Sequence, residues 1–199
     1  MPARSSECRV EKLILVTGMP GSGKSIFGEI ARRKGLPVVN MGDIVREIAQ
    51  ERGLEVNDSN LARIAKELRD KSGKAAVAML AYEKACKTGS TVAVIEGLRS
   101  LEELDYLRQN AKEAVVVAFH SSPKTRFNRL LRRARKDDPS TWEEFVERDR
   151  RELGFGIGSV IALADIMVVN EDIEIDELQR KVENILNKLL NVEVERSPV

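Results

Sequence analysis

The chain has 199 residues, 42% hydrophobic and 33% charged, a length and balance suited to one globular domain with a single substantial core. With 33 basic and 32 acidic residues the formal charge is +1, so no global field advertises a polyanionic partner. Aromatics at 4% argue against stacking platforms for single-stranded nucleic acid, and no apolar run approaches the roughly 20 residues of a membrane span.

Along the chain, Met1–Glu11 is charged and lacks a signal-peptide core, so a cytoplasmic protein is expected. Cys8 and Cys86 lie far apart without a CxxC partner, and the expectation is two reduced thiols rather than a disulfide or zinc site. Five apolar, β-branched runs then alternate with helical stretches. Leu13–Thr17 is the first strand, followed by a glycine-rich turn and a helix from about Lys24 to Arg33. Pro37–Met41 is the second strand, Thr91–Ile95 the third, Ala114–Phe119 the fourth and Asp165–Val169 the fifth. Their continuous apolar character predicts strands buried on both faces, as in a parallel α/β sheet.

Two connections are longer than plain crossovers. Asp43–Gly89 holds helical segments at Ile44–Arg52, Ser59–Lys71 and Lys74–Lys87, with capping residues at Asn57–Asp58–Ser59. Ser122–Ala164 holds helices at Pro123–Lys136 and Ser140–Leu153, a break at Asp137–Asp138–Pro139, and a flexible joint at Gly154, Gly156 and Gly158. Ile175–Leu190 is a terminal amphipathic helix, and residues 191–199 read as a loose tail. Residues 1–190 are therefore expected to form one domain.

The strongest chemical signal is Gly18-Met19-Pro20-Gly21-Ser22-Gly23-Lys24-Ser25, which fits GxxxxGK[ST] directly after a strand and at the start of a helix. Glycines let successive backbone N–H groups turn toward phosphate oxygens, and the helix adds its positive end. Lys24 is expected on the β- and γ-phosphates of ATP and the Ser25 hydroxyl on Mg²⁺. The motif specifies nucleotide binding without specifying what is done with the nucleotide.

With GMPGSGKS after strand one, GDIVR after strand two and EGLRS after strand three, the chain resembles adenylate kinases and their relatives from about residue 12 to 190. It is most similar to archaeal adenylate-kinase-related proteins that also resemble dephospho-CoA kinases. The resemblance implies a P-loop NTPase fold: a five-stranded parallel sheet in the order 2-3-1-4-5, a helical acceptor-binding insert at about 43–89, and a short lid at about 132–152. It implies that Arg46, in Gly42-Asp43-Ile44-Val45-Arg46, and Arg99, after Glu96-Gly97-Leu98, hold the phosphate of the acceptor. A guanidinium fork suits that task. Gly42 and Gly97 would border the acceptor, and Glu96 would hold Mg²⁺ through water. Asp43 is either a base for a hydroxyl acceptor or a helix N-cap.

The same resemblance extends to the lid. Arg133 would stack on adenine, Arg135 would touch the ATP phosphates, and Arg148 would stabilise the transferring group. Asn170, in the segment after strand five, would border the adenine. The lid has no cysteine, so no structural zinc belongs in it. The implied activity is ATP-dependent, Mg²⁺-assisted phosphoryl transfer to a small-molecule nucleotide acceptor, a nucleoside monophosphate first and a ribose hydroxyl second. The protein would be a monomer or homodimer. An ATPase assembly or RNA-processing factor, or a nucleotide sensor, remains compatible with the same fold, although near-neutral charge and few aromatics weigh against direct nucleic-acid binding.

Overall fold

A computed structural model describes residues 8–191. The expected tail at 191–199 and the N-terminal segment therefore lie largely outside the described residues. The strands are β1 (Lys12–Gly18), β2 (Val38–Asn40), β3 (Val92–Leu98), β4 (Glu113–His120) and β5 (Ile166–Val169). They form one parallel sheet in the order β2-β3-β1-β4-β5. The helices are α1 (Ser25–Arg33), α2 (Met41–Glu51), α3 (Asp58–Ser72), α4 (Ala76–Cys86), α5 (Leu101–Asn110), α6 (Pro123–Arg133), α7 (Trp142–Phe155), α8 (Ile157–Ala162) and α9 (Ile175–Asn191).

The period of two along the central strand divides the core. Leu13 and Leu15 of β1 pack with the buried residues of α2, α3 and α4, and Ile14 and Val16 pack with those of α1 and α9. All of Lys12–Gly18 is buried, which is why this strand reads as an unbroken apolar run. In α9, Leu178, Val182, Leu186 and Leu189 form the buried stripe. Among the described residues, no helix is long and apolar enough to cross a membrane.

Three expectations need correction. The flexible joint at Gly154, Gly156 and Gly158 is largely helical: Gly156, at φ +103°, ends α7 and starts α8, whose Ile157 and Val160 are buried. The third strand, expected to stop at Ile95, continues to Leu98, with Gly97 near its carboxyl end at φ +98°, where the β1–β3 register shifts between Val16 and Thr17. That irregularity lets β3 run on to Leu98, whose carbonyl accepts a hydrogen bond from Thr17 Oγ1 at 2.8 Å.

The third concerns the cysteines. Cys8 and Cys86 form a disulfide, with Cα atoms 4.7 Å apart across 78 residues of sequence. The cause is topological. β1 and β3 are parallel neighbours, with Lys12 opposite Val92, so the segments that feed them, one ending α4, begin at the same sheet edge. Sequence distance conceals this adjacency.

Candidate active site

The turn from β1 into α1 wraps around the ammonium of Lys24, which donates to the carbonyl of Gly18 at 3.0 Å. Gly23 sits at φ +89°, and a side chain there would collide with Asn170. Asn170 is buried beneath the loop, donating from Nδ2 to the Ser22 carbonyl at 2.9 Å and accepting from Arg129 at 3.1 Å. It braces the loop from behind and is not among the residues lining the cleft, which corrects its expected place beside the adenine. Ser22 is likewise buried, and neither it nor Met19 lines the cleft.

One cavity of about 360 Å³ runs along the carboxyl edge of the sheet. Gly18, Pro20, Gly21, Gly23, Lys24 and Ser25 line one part of it, and Gly42, Asp43, Arg46, Gly97 and Arg99 line the other. Arg133, Arg135 and Arg148 cover it from the α6–α7 side. A smaller cavity of about 40 Å³ between α2, α3 and α7 shares Arg46, Arg99, Arg148 and Glu152 with the first.

Burial, reinforced by the charge of Arg99, lowers the pKa of Lys24 from an ordinary 10.5 to about 8. Glu152 and Glu96 oppose that shift, and Arg148 adds to it. Glu96 is 2% exposed, and burial raises its pKa. It accepts from the backbone N–H of Gly28 at 3.1 Å and from Asn40 Nδ2 at 3.2 Å. The same Asn40 caps α2, accepting from the N–H groups of Gly42 at 2.9 Å and Asp43 at 3.3 Å. Asp43 is therefore not the helix cap. It stands exposed in the first turn of α2 and binds Arg46 at 3.0 Å.

The arginines expected to hold an acceptor are engaged with carboxylates. Arg46 also reaches Asp137, 5% exposed, at 2.6 Å. Burial works against the charge of Arg46, but Asp137 and then Asp43 outweigh it and raise its pKa. Arg99 Nε lies 3.2 Å from Glu152 Oε2. Arg148, largely buried, donates to the Asp137 carbonyl at 2.8 Å, and Arg133 forks onto Asp138. The guanidinium of Arg133 thus already has a bidentate partner, which the expected adenine stacking would have to accommodate. Arg135 is exposed at the cavity mouth.

Sequence reasoning missed Arg126, Arg129 and Glu152. Arg126 is 4% exposed and donates to the carbonyls of Ser121 and Pro20, each at 3.2 Å, and to Asp149. Its guanidinium also lies 4.9 Å from the centre of the Phe145 ring. It fastens the P-loop to α7, where Trp142 and Phe145 pack on each other and on Phe127 of α6. Arg129 lines the main cavity while holding Ser121 and Asn170. In the sequence these residues merge into a basic run, with nothing to separate a buried arginine from a solvated one.

The donor set suits a nucleotide with Mg²⁺. Ser25 offers a hydroxyl beside the loop, Glu96 offers a carboxylate, and the glycine-lined cradle leaves room for phosphate oxygens. Among the described residues no group of three or more acidic, His or Cys side chains could hold a metal ion, so the remaining ligands would come from phosphate and water.

A family model described as an AAA domain matches residues 17–146. The UPF0200 protein of Hyperthermus butylicus is 48% identical over 177 residues, covering 89% of this chain and 94% of that relative. The chain belongs to the UPF0200 family. The UPF0200 protein of Methanocaldococcus jannaschii is also 48% identical, over 181 residues, covering 90% of this chain and 91% of its own length. UPF0200 architecture as seen here resembles shikimate kinase from Acinetobacter baumannii, with a TM-score of 0.59 at 15% identity over 94% of this chain and 97% of that one. At that identity the likeness concerns the fold, which is that of the P-loop kinases.

Proposed function

We propose that this UPF0200 protein is an ATP-dependent, Mg²⁺-assisted phosphotransferase acting on a nucleotide-like acceptor. The observation that carries this reading is the single cavity joining the P-loop around Lys24 to Arg46 and Arg99. Phosphoryl transfer needs two molecules in line and their charge neutralised, and one basic cleft supplies both. Ser25 and Glu96, which line the cavity, would hold Mg²⁺, and the ion would supply neutralisation of the phosphate charge. Lys24 draws the γ-phosphate toward the loop. Arg46 and Arg99 hold the anionic part of the acceptor, and Arg148 faces the transfer point from α7.

Two kinds of attacking atom fit this arrangement. A phosphate oxygen of a nucleoside monophosphate is already anionic and needs no base. A hydroxyl, as in a dephospho-CoA-type kinase, needs a carboxylate, and Asp43 and Glu152 both line the cavity. The test is ATP consumption measured over nucleoside monophosphates, nucleosides and dephospho-CoA, with Lys24→Ala and Arg46→Ala alongside. Acceptor-dependent ADP formation that both variants lose supports the kinase. ADP formation indifferent to every acceptor would favour an ATPase factor instead.

A further inference from the structure

The acceptor side of the cleft contains a carboxylate that clamping an anion does not require. Four carboxylates line the main cavity: Glu29, Asp43, Glu96 and Glu152. Glu29 and Asp43 are exposed, and Asp43 is tied to Arg46. Glu96 has both oxygens engaged, one by Gly28 and one by Asn40. Glu152 differs. It is 3% exposed and borders both cavities, and among the described residues its Oε2 has no hydrogen-bond partner even though Arg99 Nε lies 3.2 Å away. Glu152 and Lys24 line the same cavity, and the carboxylate's charge acts to raise the Lys24 pKa.

Leaving a buried carboxylate oxygen without a hydrogen bond is costly, and among phosphates it is adverse twice over, because it repels both substrates. That cost is recovered if the acceptor brings a proton to this atom. We infer that Glu152 is the proton acceptor for a hydroxyl group of the substrate, so that the product is a phosphate ester rather than a phosphoanhydride. The inference rests on the kinase reading above and chooses between its two attacking atoms.

In this step the hydroxyl oxygen bonds to the γ-phosphorus of ATP as the bond from that phosphorus to the β–γ bridging oxygen breaks. ADP leaves with the bond's electron pair. The hydroxyl proton passes to Glu152 Oε2 and from there to water. ATP and an alcohol thus give ADP, a phosphate monoester and a proton. Arg99, its Nε 3.2 Å from the same oxygen, fixes the carboxylate's position at the cavity wall.

Water can take the place of the hydroxyl, so slow hydrolysis of MgATP without an acceptor reports the same base. In the full-length protein, Glu152→Gln is expected to lower this hydrolysis by about 100-fold. Binding of a fluorescent ATP analogue should change by less than about threefold, because the P-loop is untouched. If Glu152 served only to position Arg99, adding E152Q to R99A would cost nothing further; the inference expects the double variant to be slower than R99A by at least about tenfold. Hydrolysis by E152Q at the wild-type rate overturns the proposal. So does brisk formation of nucleoside diphosphate from ATP and AMP by both wild type and E152Q, a result that leaves the kinase reading intact. ADP absent under every condition defeats both.

Discussion

Lys24 carries its charge in an enclosed site, and pH should expose that. The gap between 10.5 and about 8 corresponds to a cost of about 3 kcal/mol for keeping the ammonium protonated in the free protein. A triphosphate placed against it favours the protonated form and raises the pKa again. Below pH 8 the lysine is charged with or without nucleotide, and affinity is flat. Above pH 8 the free protein has lost the proton that the complex needs, so binding takes one up and weakens. MgATP affinity is therefore expected to fall about fivefold between pH 8 and 9 and about tenfold more by pH 10. Calorimetry in two buffers of different ionisation enthalpy should show proton uptake approaching one per site near pH 9. Stability without nucleotide runs the other way, because the unfolded chain binds the extra proton between pH 8 and 10.5 and folding becomes easier across that window. Lys24→Met should accordingly raise the melting temperature at pH 7 while weakening MgATP binding and abolishing its slope above pH 8. An affinity that stays level to pH 9.5 in the wild type, or a destabilised Lys24→Met, would refute this account.

Arg126→Met removes the guanidinium that joins Pro20, Ser121 and Asp149 and leaves Asp149 without its partner. A loss of about 3–5 kcal/mol is expected in chemical denaturation, with weaker MgATP binding as the loop loosens. Reducing the Cys8–Cys86 bridge, or Cys86→Ser, should cost about 4 kcal/mol for a closed loop of 78 residues and lower the melting temperature; identical transitions with and without reductant would mean that the bridge does not form in solution. Asp137→Asn frees one side of the Arg46 fork, so the KM of any acceptor held through that arginine should drop by about three- to tenfold, and an unchanged KM would place the acceptor elsewhere.

Much of this architecture is legible in the sequence because parallel strands are buried on both faces and so appear as runs. The P-loop is legible because its tasks fix both residue type and spacing: Gly23 has to admit Asn170 against its backbone, and Lys24 has to point into the loop. Arg46 and Arg99 were found through resemblance, and both border the cleft. What escaped depends on distance in three dimensions. Arg126, Arg132 and Arg135 are equivalent letters in one basic stretch, yet Arg126 is buried and the other two are exposed. The direction of α7 decides that, and a lid shortened relative to the adenylate-kinase pattern gives no register from which to infer it. Asn40 was overlooked as the cap of α2 because Asp43 is the more conspicuous residue. The extended backbone of Asn40 nonetheless lets its side chain reach the N–H groups two and three positions ahead.

Charge is distributed unevenly along the cleft, and that asymmetry bears on how a transfer site avoids spending ATP on water. On the P-loop side, Lys24 and Arg135 line the cavity with no carboxylate within ion-pair distance among the described residues, whereas Arg133 is held by Asp138, so on the proposed reading a triphosphate would meet two unpaired cations. At the acceptor end, Arg46 is held by Asp43 and Asp137, Arg99 by Glu152, and Arg148 sits among Asp58, Asp137 and Asp138. An anion binding to Arg46 would have to compete with the carboxylates already on it, so its binding free energy would be a difference between ion pairs rather than the whole of one. On the proposed reading, ATP is expected to load before the acceptor. On that reading Arg46 is expected to leave Asp137 only for an anion that binds it better. Two of the carboxylates that occupy these arginines, Asp137 and Glu152, lie in the same 137–152 stretch as Arg148, so on the proposed reading acceptor binding would rearrange ion pairs there rather than create them from free groups.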